Sequence, residues 1–503
     1  MLWLAPLVSG LFSEAALANR LGGSWYANGT RAFPNPTVSP GCQQACTELA
    51  VDFGAALHYP GTDNITWWDA RQQAVQPACR VEPSSPVDVA RIMAILVENE
   101  CRFAVKCGGH SRSPDDSNSV GGVTIDLRRL NTVALSANNT SATIGGGANT
   151  YQVYSALERF NMSFVGGRVD TVGMGGFTLG GGTSPISSKY GWALDNIFEY
   201  EVVLANSSIV TASEHRNPDL YWALRGGGNN FGVVTSFLVR VFPLGPVYGG
   251  SWIFSDDYTD EMLEESQRLF TLVDDPDMTY WYAYSYNQLQ DRFTTSATGR
   301  YVEPISNPPV FDGLSRIPSE SSSGVINSLG NFSVRGPITG TVRHLFTTIT
   351  YYPSLALSRK GIELFKDEMQ SVKNVSGLSA FLIVYPIQTN VLRAMKERGG
   401  NSLGIDEDAP LILTLISLGW SDAADDAAMN AFSDRVVGGM KTAALELSVY
   451  HPYIYLNYAK SDQDVFSGYG EHNRRRLIEI QKSVDPDGVF TSQGLWRGYF
   501  KLV

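Results

Sequence analysis

Cysteine and histidine are scarce in this chain, at 5 and 6 among 503 residues. The cysteines stand at 42, 46, 79, 101 and 107, and neither a CxxC nor an HxxxH pair occurs. That excludes a disulfide-dense scaffold, and no metal site is expected. Positive charge is also short. With 38 Lys+Arg against 50 Asp+Glu the net charge is −12, which removes any general attraction to nucleic acid or an anionic membrane, so neither is expected as a partner. Beyond the N-terminus no stretch reaches the roughly 18 uninterrupted apolar residues of a membrane helix. What is present is a 43% hydrophobic share, enough for a large core. A chain of this length exceeds the about 250–300 residues over which single cores grow, which implies two lobes. Glycine is abundant, at 49 residues, and it is clustered.

Met1 to Phe12 is largely apolar, and Ala16-Leu17-Ala18 supplies a small-x-small cleavage pattern, so residues 1–18 read as a signal peptide. A basic n-region is missing, and a buried N-terminal helix is the alternative. Asn28, Asn64, Asn138, Asn139, Asn161, Asn206, Asn331 and Asn374 each open a glycosylation sequon, where chance gives roughly four. Together these features point to a glycosylated protein, secreted or in the secretory lumen, with one or two bridges among the early cysteines and one thiol left over.

Residues 19–70 are rich in Gly, Pro and Asn, with a helical patch from Cys42 to Phe53. Strands are expected at Ala78–Val81, Phe103–Lys106, Val123–Leu127, Ala142–Ile144, Glu201–Ala205 and Val233–Phe242. Helices are expected at Asp88–Asn99, capped by Ser85 or Asp88, and at Tyr151–Phe160. From about 247 to 450 amphipathic helices (Met262–Val273, Leu355–Val372, Ala423–Leu445) alternate with strands (Thr347–Tyr352, Leu411–Leu418) and a Pro/Ser-rich loop at 303–325. A tyrosine-rich strand from Tyr453, a basic helix Asn473–Lys482 and a turn at Asp485–Gly488 close the chain. The pattern is α+β rather than a regular βαβ alternation. It divides into a cofactor lobe at 19–246 (core about 75–246), a substrate lobe at 247–450, and a C-terminal return at 451–503.

Six glycine clusters fall between 108 and 228. Glycine permits positive φ and close backbone approach, and several tight loops with converging N–H groups make an anion nest suited to a pyrophosphate. Gly173-Met174-Gly175 does not fit the Rossmann fingerprint, because Thr178 stands where its third glycine belongs.

The segment Phe103-Ala104-Val105-Lys106-Cys107-Gly108-Gly109-His110-Ser111 resembles the loop of flavoenzymes with the vanillyl-alcohol-oxidase (PCMH) type of FAD domain. Gly167 to Gly182, Lys189 to Asn196 and Leu220 to Thr235 resemble their further signatures. Tyr455-Leu456-Asn457-Tyr458, Tyr469-Gly470, Asn473 and Asp485-Pro486 are similar to the tail of the berberine-bridge-enzyme-like branch, whose texture here is that of fungal FAD-linked oxidases. The resemblance implies a two-lobed fold, a PCMH-type FAD domain beside an α/β substrate domain built on an antiparallel sheet. It also implies an 8α-histidyl bond from His110 to FAD. Val169, with Asp170 beside it, occupies the place of a second-linkage cysteine, so a single covalent link is expected. Cys107 is read as packing, and the relatives suggest a Cys46–Cys101 bridge. Cofactor contacts carried over are Lys106, Gly108, Gly109, Ser111, Thr171, Val172, Gly173, Gly176, Gly180, Asn196, Gly232, Val233, Val234, Asn457, Tyr469 and Asn473.

The resemblance further implies an oxidase that passes a hydride from a small organic substrate to flavin N5 and is reoxidised by O2 to H2O2. The substrate would be an alcohol, hemiacetal, amine or allylic carbon of a sugar or secondary metabolite. Tyr455, with Tyr453 second, is the expected base, although a phenol needs help to ionise. Packing in a lobe interface is the plainer reading of both tyrosines. Val172 is small enough to leave room for O2. The candidate substrate wall is Tyr280, Trp281, Tyr282, Tyr284 and Tyr286 with Tyr351 and Tyr352, or else a buried sheet face. A flavin-dependent cyclase or isomerase without net redox, and a non-catalytic flavin-holding glycoprotein, are the competing readings. A monomer is expected.

Overall fold

A computed structural model of the chain describes residues 37–62 and 65–502. The signal-peptide reading at 1–18 and the sequons at Asn28 and Asn64 lie outside the described residues. The first helix, Pro40–Phe53, starts where Ser39 accepts from the Cys42 N–H and proline occupies the first turn. Helical spacing puts Cys42 and Cys46 on one buried face, one turn apart. Cys42 bridges Cys101 across a Cα–Cα distance of 4.7 Å, and Cys46 bridges Cys79 across 6.0 Å. The expected Cys46–Cys101 pairing is therefore corrected. The helix start lies so close to the 99–102 turn that a Cβ on Gly41 would meet the Asn99 carbonyl at 2.0 Å, which leaves Cys46, a turn further on, over the Cys79 strand.

The Cys46–Cys79 bridge closes a loop with a sequence separation of 33. Its removal in a Cys46→Ser/Cys79→Ser variant is expected to lower stability to denaturant by about 2–4 kcal/mol. Peptides from a non-reducing digest should show Cys42 joined to Cys101, and a Cys46–Cys101 peptide would contradict the assignment.

Strand Cys79–Val81, helix Pro86–Glu98 and strand Phe103–Lys106 follow one another as a βαβ unit, with Val123–Asp126 inserted between the two strands and parallel to both. Ser85 and Asp88 form a reciprocal capping box at the helix start, so both expected caps act together. Leu57–His58 completes this sheet. A second, antiparallel sheet runs in the order 133–135, 141–145, 233–240, 197–203, 209–213. The glycines at 145–147 let it approach its neighbours. A Cβ at any of the three would fall within 2.3 Å of the Leu130, Val234 or Leu127 carbonyl oxygen.

The third sheet has eight antiparallel strands, ordered 321–327, 247–255, 292–301, 278–287, 379–387, 411–420, 343–351 and 450–451. Its edge strand Ser321–Asn327 is exposed along its length and overlaps the end of the stretch expected to be a loop at 303–325. Successive side chains point to opposite faces. Trp281, Tyr385 and Leu413 join the core shared with the glycine-rich lobe, whereas Tyr280, Tyr282, Tyr284, Tyr286 and Tyr351 pack with Phe270, Phe365 and Phe432 of the covering helices. The expected tyrosine wall is therefore mostly the helix-facing side of the sheet, and of that set Trp281 and Tyr352 pack with the other lobe.

After His451 the expected strand does not form. Tyr453 to Tyr455 is extended chain leading into a 3-10 turn at Leu456–Tyr458. Helix Glu471–Val484 follows, and the Asp485 carboxylate accepts from the Val489 and Phe490 N–H groups, which turns the chain back. Phe490 and Trp496 then pack against Phe103, so the C-terminal segment returns to the first sheet. Among the described residues no helix is long and apolar enough to cross a membrane.

Candidate active site

The strand Phe103–Lys106 delivers the chain into Cys107–Arg112, and this loop is pressed against the start of helix Met174–Leu179. A Cβ on Gly108 would lie 2.3 Å from the Gly173 nitrogen, and one on Gly173 would lie 2.2 Å from the Gly108 nitrogen, so both positions require glycine. The Cys107 thiol sits in this seam, 3.7 Å from the Ala148 carbonyl oxygen and accepting from the Gly175 N–H. Burial pushes it up, which fits the packing role expected for it. Gly109 then takes φ 74°. Among the described residues the backbone N–H groups of Gly109, His110, Ser111 and Arg112 have no hydrogen-bond partner. Four unbonded amides in succession form a nest for an anion.

His110 Nε2 lies 2.8 Å from Thr171 Oγ1. Its ring stacks on Trp68 at 4.9 Å, and Trp68 stacks on His344 at 3.7 Å. Asp69 accepts from the His344 backbone N–H at 2.7 Å and from the Arg71 guanidinium. Burial alone would raise the Asp69 carboxyl, but the His344 and Arg71 contacts overcome it and hold the pKa at about 2. Desolvation, aided by the charges of His344, Lys106 and Arg112, pushes the His110 imidazole down to about 3. It is therefore a neutral imidazole across the physiological range, held on Thr171.

Arg112 ties this loop to the far end of the chain. Its guanidinium donates to the Asn457 and Ala459 carbonyls and lies 4.5 Å over Phe346. Beside Asn457, the Tyr455 hydroxyl accepts from the Gly182 N–H at 3.1 Å, the Thr183 N–H at 3.4 Å and Asn457 Nδ2 at 3.1 Å. Burial and the Tyr458 ring push Tyr455 up to about 12, against the pull of these donors. Tyr453 is also buried, but its hydroxyl finds no partner among the described residues.

Residues 77–213 match the model of an FAD binding domain. An FAD-dependent monooxygenase of Cochliobolus heterostrophus is 36% identical over 482 residues, covering 90% of this chain and 93% of that protein. The chain belongs to the FAD-linked oxidoreductases. Its fold is the one seen in solved FAD oxidases and in berberine bridge enzyme. Xylooligosaccharide oxidase from Myceliophthora thermophila matches with a TM-score of 0.75 at 23% identity, over 91% of this chain and 100% of that one. Glucooligosaccharide oxidase from Acremonium strictum, described with a 6-S-cysteinyl, 8α-N1-histidyl FAD, matches at 0.72 and 21%, over 92% and 99%.

The loop fits FAD on its own terms. The four free amides suit the phosphates of a dinucleotide. Next to them the Ser111 hydroxyl donates to Asp116, and Lys501, whose Nζ lies 5.1 Å over the Trp496 ring, is pushed down to about 7 by burial against the pull of Asp116 and Asp485. Lys501 arrives on the C-terminal segment, where the Tyr499 N–H donates to Asp116 at 2.6 Å. This cation stands 389 positions from Arg112 and carries no local motif, so sequence reasoning missed it; it missed Trp68 and His344 for the same reason.

The remaining expected contacts divide. Thr171, Val172, Gly173, Gly176 and Gly180 form the segment facing the loop, with the Val172 carbonyl accepting from Thr150 and Gly180 packed on Asn457. Lys106 instead pairs with Asp126 at 3.3 Å. Gly232, Val233 and Val234 enter the second sheet beside Gly146, and Gly232 takes φ 156° against Val202 and Val203. Tyr469 donates to the Gly226 carbonyl and stacks on Tyr453. Asn196 is bound by Arg398 and by the Tyr190 and Trp192 carbonyls, and the Asn473 amide reaches the Ser402 carbonyl at 3.4 Å. These two asparagines hold loops, and the structure does not bring their amides to the His110 loop.

Proposed function

We propose that the chain is an FAD-dependent oxidase of a small organic metabolite, with its flavin joined through His110 alone and its electrons passed to O2. The observation that carries this reading is the neutral His110 imidazole, held on Thr171 beside four unbonded amides. Bound flavin supplies a two-electron acceptor. The amides of Gly109 to Arg112 would hold its phosphates. Thr171 fixes the His110 ring for attachment. Val169 and Asp170 stand where a doubly linked relative has cysteine, and neither can form a thioether. Tyr455 is the proton acceptor in this reading, because three N–H donors converge on its oxygen and offset part of the burial that raises it to about 12. Trp192, 5.0 Å from the Tyr455 ring, closes that side against water.

In the same reading the protein is secretory and N-glycosylated. Asn138, Asn139, Asn161, Asn206, Asn331 and Asn374 are all exposed, as glycan acceptors must be.

Turnover under oxygen-18 dioxygen separates an oxidase from a monooxygenase. The expected result is one labelled H2O2 per substrate oxidised and no label in the organic product. Label in the product would replace the oxidase reading with oxygen insertion, and turnover without O2 consumption would favour a redox-neutral cyclisation.

A further inference from the structure

The eight-stranded sheet ends in two unlike edges. Tyr450–His451 closes one side and is only two residues long, too short to template another strand. Ser321–Asn327 closes the other, and all seven of its residues are exposed. Such a strand spans roughly 23 Å. It pairs with Val247–Ser255 in unbroken register, from Val247↔Asn327 to Ile253↔Ser321. Antiparallel pairing uses the backbone N–H and C=O groups of one side, so those of the other side are left for a further strand.

Folded proteins blunt such edges with lysine, proline, a bulge or a covering segment. The sequence Ser-Ser-Ser-Gly-Val-Ile-Asn holds no charged residue and no proline, and its register holds no bulge. Val325 and Ile326 are 51% and 44% exposed, on opposite faces of the strand. The edge Phe103–Lys106 of the first sheet is treated differently. There the Phe103 N–H donates to the Leu495 carbonyl at 3.0 Å, so the C-terminal return covers it.

What stands at the end of the bare edge is a sequon. Ser328 caps the short helix Leu329–Ser333, whose Leu329 enters the core and whose Gly330 N–H donates to Glu158 at 2.8 Å. The helix is thereby pinned, and it holds Asn331 exposed with Nδ2 donating to Asn327 Oδ1 at 2.8 Å. The acceptor amide is thus tied to the last residue of the edge strand. It has two hydrogens and glycosylation replaces one, so the bond survives attachment. The same placement recurs in the second sheet, whose edges are Val133–Leu135 and Ile209–Ser213. Asn138 and Asn139 lie in the turn after the first of these, and Asn206 lies in the turn before the second. Asn374 is the contrast: it follows helix Leu355–Met369, and the next strand, Ser379–Ile387, is internal to its sheet.

We propose that Asn331 carries an N-glycan that covers the edge Ser321–Asn327 and keeps two copies of the chain from joining through it. The inference rests on the secretory, glycosylated reading and gives one of its sites a function. Bare, the edge suits a second copy. Antiparallel self-pairing about Gly324 sets Ser323 against Val325 and Ser322 against Ile326, with no like charges opposed. A glycan is bulky and solubilising, and one fixed at the end of the strand denies that approach.

The test uses the full chain secreted from a eukaryotic host, with glycopeptide mass mapping and light scattering after size exclusion. Wild type is expected to carry glycan on Asn331 and to run as a monomer. Endoglycosidase trimming of the folded protein to one sugar per site adds no charge and needs no variant to fold, and it should double the scattering mass. Asn331→Gln should do the same, and Asn374→Gln should not. Ser323→Lys in the Asn331→Gln background should restore the monomer, because self-pairing then brings two ammonium groups together as diagonal neighbours. A bare Asn331 in a protein whose other sequons are occupied would overturn the proposal. So would trimmed protein and Asn331→Gln that both stay monomeric, or a dimer that persists with Ser323→Lys. Failure of the secretory reading looks different, because then no sequon carries glycan at all.

Discussion

Replacing His110 with alanine is expected to leave a folded, yellow protein whose flavin departs into the supernatant on acid precipitation. The cofactor is expected to remain bound under native conditions because the unbonded amides of Gly109 to Arg112 do not depend on the imidazole. Attachment withdraws electron density from the flavin, so its loss makes a weaker oxidant. Substrate oxidation by His110→Ala should be about tenfold slower, equivalent to about 1.4 kcal/mol of barrier. Stopped-flow reduction under anaerobic conditions measures this without interference from O2. An unchanged reduction rate together with acid-stable flavin in the variant would place the link elsewhere.

Tyr455→Phe is expected to have the largest effect on chemistry, lowering kcat by about 10²–10³ with little change in KM, the range for loss of a positioned proton-transfer group. The ring remains packed on Trp192 and Tyr458, so binding and folding persist. Tyr455 sits at about 12. The ionised fraction therefore rises tenfold per pH unit below that value, and kcat of the wild type should climb with pH while the variant's stays flat. Tyr453→Phe is the control. Its hydroxyl is buried without a partner among the described residues, so removing it should cost neither rate nor stability. A Tyr453→Phe defect larger than that of Tyr455→Phe would exchange the two roles.

The His110 loop was legible because its chemistry is local: a strand, a glycine pair and a histidine in consecutive positions. Tyr455 and Asn457 were legible by motif, although the strand proposed to align them is absent, and an extended segment and a 3-10 turn bring the two groups to 3.1 Å instead. The tyrosines of Met278–Asn287 show the limit of periodicity. Alternation assigns side chains to two faces, but which face meets the other lobe depends on the helices that cover the sheet, and Trp281 proved to be the residue facing inward. The disulfides fail in the same way, since Cys42 and Cys46 share one helix face and only the packing of that helix chooses their partners. Trp68, Arg112 and His344 reach the His110 loop and its neighbours from separated segments, and no short window of sequence contains two of them in contact.

Peptide mass mapping of the acid-precipitated wild-type protein tests the central claim most directly. The account predicts that the yellow colour stays with the pellet, that the mass of FAD appears on the one peptide containing His110, and that fragmentation of this peptide places it on His110 and not on Cys107. Colour released into the supernatant, or FAD mass on any peptide without His110, would contradict it.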